Sequence, residues 1–235
     1  MVDPLLAAVS AALAAGAALV LLAARRRNTS AVVNAAAGLG LTVFVTILAV
    51  TPELLLGRNL DIGLVFPLWL AVASVLHSVG MLGWYESVWW WDHLSHTVSA
   101  GLVAALLYAA ILVTDPTVPL VDAVPGTTAI LTIALTFAVG VAWELMELVG
   151  RDLGRRFDVQ PVLVYYGPRD TALDLVFDAV GALLIVALDV RIFVSTAEQF
   201  PDDVGILLVA TAWFVGLSSV TMATFLGIAR AVWTE

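Results

Sequence analysis

The chain has 235 residues, of which 62% are apolar and 12% charged, and its mean hydropathy is +1.03. A soluble domain carries roughly 25% charged residues, so this composition excludes an ordinary water-soluble globule and calls for helices in a bilayer. The net charge of −9 argues against nucleic acid as a partner, and the absence of cysteine excludes disulfides and thiolate metal ligands.

Seven apolar segments are predicted as membrane helices, at about 4–24, 31–51, 64–83, 94–114, 128–149, 171–190 and 205–229. They make a single all-α integral membrane domain over 1–235, a polytopic helical bundle without a soluble domain. The first segment is expected to be a retained span: Met1-Val2-Asp3-Pro4 lacks a basic leader, and Arg25, Arg26 and Arg27 follow the apolar run. Gly38, Gly40, Gly101, Gly140, Gly181 and Gly216 lie inside spans, where small residues let helices approach closely. The third span carries His77 about two turns from its end, and Trp84, Tyr85, Trp89, Trp90 and Trp91 follow as an interfacial aromatic belt.

The fourth span opens with Asp92-His93-Leu94-Ser95-His96, and Pro116, Pro119 and Pro125 mark the loop after it. The fifth ends with Glu144 and Glu147. The 150–169 segment, with Val162-Leu163-Val164-Tyr165-Tyr166 between two prolines, reads equally as lid, interfacial segment or loop. Asp170, Asp174 and Asp178 open the sixth span. Only ten uncharged residues separate Asp178 from Asp189, half of what a membrane helix needs, so Asp174 and Asp178 are expected inside the bilayer. Asp170 stands where a helix cap is expected.

The arginines set the expected orientation. All ten basic residues are arginine, an acidic, lysine-free balance of the halophilic kind. With seven spans, Arg25, Arg26, Arg27, Arg151, Arg155, Arg156, Arg169 and Arg230 fall on one side, and Arg58 and Arg191 on the other. The positive-inside rule makes the first side cytoplasmic, with the N-terminus outside and the C-terminus inside, in the inner or plasma membrane.

That orientation puts His77, Asp92, His96, Glu144, Glu147, Asp170, Asp174 and Asp178 at similar depth in the cytoplasmic leaflet. Spacings of three and four keep each pair on one helix face. Several carboxylates cannot share a low-dielectric pocket fully ionised, so they are either partly protonated or balanced by a cation. Asp92, His96, Glu144, Glu147, Asp170, Asp174 and Asp178 are the predicted ligands of a divalent ion, with His77 and His93 as additional members. Magnesium, manganese, iron and zinc all fit such a set, and the carboxylates favour the first three.

At these residues the chain resembles the YjdF-like family of polytopic inner-membrane proteins, over about 60–190. Trp91-Asp92-His93-Leu94-Ser95-His96 is similar to the family's aromatic-D-R-L-G-H block. Trp143-Glu144-Leu145-Met146-Glu147 is similar to its Y-E-x-x-E block. Asp170-Thr171-Ala172-Leu173-Asp174 with Gly181-Ala182-Leu183 is similar to its W-D-T-x-x-D…G-A-L block. The resemblance implies Asp92, His96, Glu144, Glu147, Asp170 and Asp174 as the shared polar set. His93, Ser95 and Arg169 depart from it, standing where the family has Arg, Gly and Trp.

Three functions compete on this reading. The first is a metal-dependent enzyme acting on a membrane lipid or lipid-linked substrate, with His96, Asp174 and Glu144 as catalytic residues and Arg169 or Arg151 clamping an anion. The second is a proton or cation relay, or a transporter. The third is a structural subunit with a stabilising metal and a protein partner in the membrane.

Overall fold

The computed structural model describes residues 3–57, 60–114, 126–159 and 161–233, the side chains of 229–233 excepted. The proline-marked turn with Pro116, Pro119 and Pro125 lies outside the described residues, as do Arg58 and the side chain of Arg230. Everything regular among the described residues is helix: α1 Pro4–Arg25, α2 Thr29–Val50, α3 Pro52–Leu56, α4 Val65–Val79, a π-helical turn Gly80–Trp84, α5 Tyr85–Ser87, α6 Trp91–Thr114, α7 Thr127–Phe157, α8 Pro168–Ala187, α9 Val194–Ala197 and α10 Pro201–Trp233.

Local chemistry sets several of these ends. Asp3 caps α1 by accepting from Leu5 N at 2.8 Å, with Pro4 as the first helical residue. Asn28 caps α2 by accepting from Ala31 N at 2.9 Å. Pro168 likewise starts α8, and Gly167 stands at its cap with φ 133°. Asp170 is therefore the third helical residue and not the cap: the proline, whose missing N–H costs nothing in a first turn, starts the helix two residues earlier.

Six helices among the described residues are long and apolar enough to cross a membrane: α1, α2, the continuous α4–α5 stretch, α6, α7 and α10. The chain is thus a polytopic membrane bundle. α8 has 20 residues, about 30 Å at 1.5 Å per residue, but Arg169 and three aspartates set it apart in composition. It nevertheless lies along α6 over most of that helix's length. His96 meets Asp178 and Tyr108 meets Asp189, offsets of 82 and 81 residues, so the two helices run parallel in a fixed register. By length and composition α8 is not among the six, so the seventh expected span is matched here by a helix packed along α6 and not by a further apolar crossing.

The helices form two groups. α1, α2 and α4 pack on one another; α6, α7 and α8 do the same, with α10 outside against α6 and α7, and α4 meets α6 between the groups. The tightest meeting is α6 on α8. A Cβ added at Gly181 would lie 2.5 Å from Thr97 O and 3.0 Å from Gly101 N, so only glycine permits this backbone approach. Ala104, Ala105 and Ala182 are fully buried beside it. Gly38 faces Ser74, Gly101 faces Trp69, and Gly140 faces the Asp178 carboxylate, whereas a Cβ at Gly40 or Gly216 would meet open space. Those last two glycines are not packing positions among the described residues.

The helix directions alternate, which collects the polar segments at one end. There the α1–α2 turn meets the π turn through Arg26 Nη1 on Leu82 O (3.1 Å) and Asn28 Nδ2 on Met81 O (3.1 Å). The segment after α7 joins them through Ser30 Oγ donating to Pro161 O at 2.5 Å. At the opposite end Asp61 N donates to Gln199 Oε1 (2.8 Å), and Arg191 Nε donates to Asp189 (2.8 Å).

Candidate metal centre and the cleft beside it

The register of α6 and α8 brings Asp92, His96, Asp174 and Asp178 together. Asp174 and Asp178 stand seven and three residues before Gly181, on the face that its close approach presses against α6. His96 Nε2 lies 3.8 Å from Asp92 Oδ1 and 3.8 Å from Asp174 Oδ1. His96 Nδ1 lies 3.0 Å from Asp178 Oδ1. Asp92, Asp174 and Asp178 are 9%, 3% and 5% exposed, yet Asp174 Oδ1 has no hydrogen-bond partner. A buried carboxylate oxygen left so is costly unless something fills the gap.

The next members come from α4 and α7. The chain leaves α4 through the π turn, where Gly83 takes φ 111°. This folds Tyr85 back over Gly80, at which a Cβ would collide with the phenol ring. π turns of this kind recur at functional sites. Tyr85 Oη consequently lies 2.8 Å from His77 Nδ1 and accepts from Ser95 Oγ at 3.3 Å. His77 Nε2 lies 3.4 Å from Asn34 Oδ1, and its ring stands edge-on to Trp143. Glu147 accepts from Trp143 Nε1 at 3.2 Å. Glu144 is 4% exposed, bonds Thr171 through its side chain, and leaves Oε1 unpartnered.

Two spaces meet at His96. One is a polar chamber of about 20 Å³, bordered by Asp92, His96, Glu147, Asp170 and Asp174, with room for one water-sized occupant. The other is a largely apolar cleft of about 460 Å³ between α2, α4, α6 and α7, with His96 and Asp178 at its polar end. His77, His96 and Trp143 border both spaces.

Residues 161–167 close the chamber. Ser30 Oγ and Asn34 Nδ2 hold the carbonyls of Pro161 and Val162, at 2.5 and 2.7 Å. On the other side a Cβ at Gly154 would crowd Val159 O and Pro161. Leu163, Val164 and Tyr166 border the chamber, and Tyr166 stands edge-on to Tyr85. Partial burial, with the Glu86 and Asp92 carboxylates nearby, pushes the Tyr166 phenol up to about 12. It therefore stays protonated, a donor, across the physiological range. The 150–169 segment is thus none of the three readings as a whole: to Phe157 it continues α7, and residues 161–167 form a strap over the site. Replacing Asn34 by alanine is expected to speed amide hydrogen exchange at 162–164, and unchanged protection there would show the strap is held otherwise.

The remaining predicted residues fall around this centre. Asp170 and Glu147 are on the chamber wall, and Glu144 is close by without bordering it. His93 stacks on Phe177 with ring centroids 4.3 Å apart, its Nδ1 unpartnered. Neither predicted anion clamp borders the chamber: Arg169 is exposed, and the Arg151 guanidinium lies 4.5 Å over the Tyr165 ring. Within the aromatic belt, Trp84, Trp89 and Trp90 are exposed, whereas Tyr85 points inward to His77. Periodicity cannot reveal that inversion, although the Gly80 and Gly83 pair around it was a signal for a break.

The family model described as "Predicted membrane protein (DUF2238)" matches residues 7–195. The chain belongs to this family. The match covers both helix groups and the whole polar centre, including α1 and α2, which lie outside the 60–190 stretch of the motif resemblance, and it stops before α10. It is consistent with the YjdF-like family of unassigned function. No curated protein and no solved structure matches.

Proposed function

We propose that this member of the family is a divalent-cation-dependent membrane enzyme acting on a lipid or lipid-linked substrate in the cytoplasmic leaflet. The observation that carries the proposal is the convergence of Asp92, His96 and Asp174, whose ligand atoms all lie within 4.8 Å of one another. Donors held 2.0–2.2 Å from one ion are at most about 4.4 Å apart, and both His96–carboxylate separations of 3.8 Å fall under that limit. The unpartnered Asp174 Oδ1 and the single-occupant chamber fit the same occupant. Two carboxylates and one imidazole favour magnesium, manganese or iron over structural zinc.

Each residue then has a part. Asp92 and Asp174 offer oxygens and His96 offers Nε2. Asp178 accepts from His96 Nδ1–H, which fixes the ring and leaves the Nε2 lone pair facing the chamber. An ion bound there would supply Lewis acidity toward a phosphate or carbonyl oxygen. Glu147, which borders the chamber, is better placed than Glu144 to exchange a proton inside it. Asp178→Asn should weaken manganese binding by about 10–100-fold without abolishing it. The activity is tested by following lipid composition in proteoliposomes by mass spectrometry, with manganese or chelator. Metal-dependent conversion of a lipid class, lost in His96→Ala, supports the enzyme; an unchanged lipid profile under all conditions overturns it.

The cytoplasmic placement rests on charge. Arg155 and Arg156 near the end of α7 and Arg169 at the start of α8 share the end of the bundle that holds Arg26, and Arg191 lies at the other. The chain has no cysteine, so single cysteines at Arg155 and Arg191 report directly. An impermeant maleimide applied to intact cells should label Arg191→Cys and spare Arg155→Cys; the reverse pattern inverts the topology.

One observation favours a second reading. Asp178, His96 and Asp174 form a continuous carboxylate–imidazole–carboxylate chain from cleft to chamber, a suitable element for a proton relay. Proton flux into proteoliposomes with no metal requirement, lost in His96→Ala, would select it.

A further inference from the structure

The cleft beside His96 has one polar end and one apolar end. Asn34, His77, His96 and Asp178 stand at the first, and Leu41, Leu70 and Val103 at the second. From Asn34 to Leu41 along α2 the depth is about 10 Å at 1.5 Å per residue. Between the ends the walls are small residues, Ala37, Gly38, Ala73, Ser74 and Gly140. The volume of about 460 Å³ falls within the range of small-molecule sites.

Access decides what can enter. α2 packs on α1 and α4, and α7 packs on α6, α8 and α10, but α2 and α7 do not pack on each other. The cleft is therefore open sideways between them, where Ala37 and Leu41 are exposed at the lip. At the polar end the gap between the same two helices is crossed by the strap, tied to Ser30 and Asn34 of α2 and seated on Gly154 of α7. A solute from water meets the strap, whereas a molecule already in the bilayer meets an apolar slot with hydrogen-bonding groups at one end.

We propose that this cleft seats the hydrocarbon tail of a membrane lipid, entering between α2 and α7, with its polar end against His96 and Asp178. This deepens the enzyme reading and rests on it for the fate of the head, while the seat of the tail stands on the cleft alone. The source is the surrounding bilayer. The narrow, small-residue walls suit a single chain rather than a partner helix, whose diameter with side chains is about 10 Å or more.

The test uses the full-length protein in proteoliposomes containing phospholipid with a diazirine on one acyl chain. After photolysis, adducts are mapped by mass spectrometry. Adducts are expected on Ala73 and Leu102, which line the cleft yet are 8% and 6% exposed, as well as on lipid-facing positions such as Leu21 and Trp213. Ala37→Trp and Leu41→Trp place an indole at the exposed lip, where folding is least disturbed. Each should cut inner-wall labelling by at least about tenfold while outer-surface labelling and manganese binding are retained. Labelling confined to the outer surface, or inner-wall labelling unchanged by both plugs, overturns the proposal. If Asp174→Ala and Asp92→Ala both keep their metal while the inner wall is still labelled, the metal reading fails and the tail site survives, so the two are separable.

Discussion

Replacing Asp174 by alanine is expected to strip the divalent ion from the purified, detergent-solubilised protein. The carboxylate is 3% exposed, faces His96 Nε2 at 3.8 Å, and has an oxygen with no other partner. It comes from α8, whereas Asp92 and His96 both come from α6, so its loss leaves two ligands on one helix and an open side. Removing a partner in the shell outside the ligands already costs about 10–100-fold in affinity, so losing a ligand should cost more than about 100-fold. Elemental analysis reads this for a tightly held ion, and manganese titration reads it for a labile one. Asp61→Ala is the control, because Asp61 lies at the opposite end of the bundle and meets Gln199 through its backbone. Retention of metal in Asp174→Ala and Asp92→Ala alike would sink the assignment.

The second large effect is expected at Gly181. Even a methyl group there meets backbone, Thr97 O and Gly101 N, and not the movable end of a side chain. Overpacking costs typically 1–3 kcal/mol, and a backbone-on-backbone clash should place Gly181→Ala near about 3 kcal/mol. The helices must part to admit it, which also draws Asp174 and Asp178 away from His96. The variant should therefore lose both thermal stability in detergent and manganese affinity. Gly216→Ala, with open space around the added carbon, should be neutral or gain up to about 1 kcal/mol from helix propensity. Equal behaviour of the two variants would mean that α6 and α8 are not held together as described.

Much of the bundle was legible because apolar runs and charge interruptions dictate where helices cross a bilayer. The assembly of Asp92, His96, Asp174 and Asp178 was legible for the same reason: helical spacing fixes which face each shares, and alternation of direction fixes their depth. The finer assignment was not. Asp178 sits on His96 Nδ1 rather than beside Asp92, a matter of which side of one ring a carboxylate reaches. Tyr85 was hidden among tryptophans because a positive φ at Gly83, not a period, turns it inward. α7 runs on to Phe157, past the apolar run ending near 149, because helix propensity and the strap contact at Gly154 carry it beyond the membrane pattern. The cleft was invisible because it arises where α2 and α7 do not pack closely among the described residues, and a sequence records no such gap.

Gly181 lies between two contacts that the α8 segment makes with α6: Asp174 stands seven residues before it, and Asp189 stands eight after it, just past the end of α8. The glycine thus acts as a fulcrum. Prying Asp174 away from Asp92 would drive the far end inward against Tyr108, whose hydroxyl already donates to Asp189 at 2.6 Å. Were an ion seated between Asp92 and Asp174, the width of its seat would be set by the Tyr108–Asp189 contact at the opposite end of the bundle. An ion with bonds of 2.0–2.1 Å fits without moving the lever, while one demanding 2.3–2.6 Å must work against it. Size discrimination would then be a property of the helix pair as a whole, and loosening that distant contact should broaden the choice of ion without touching a single ligand.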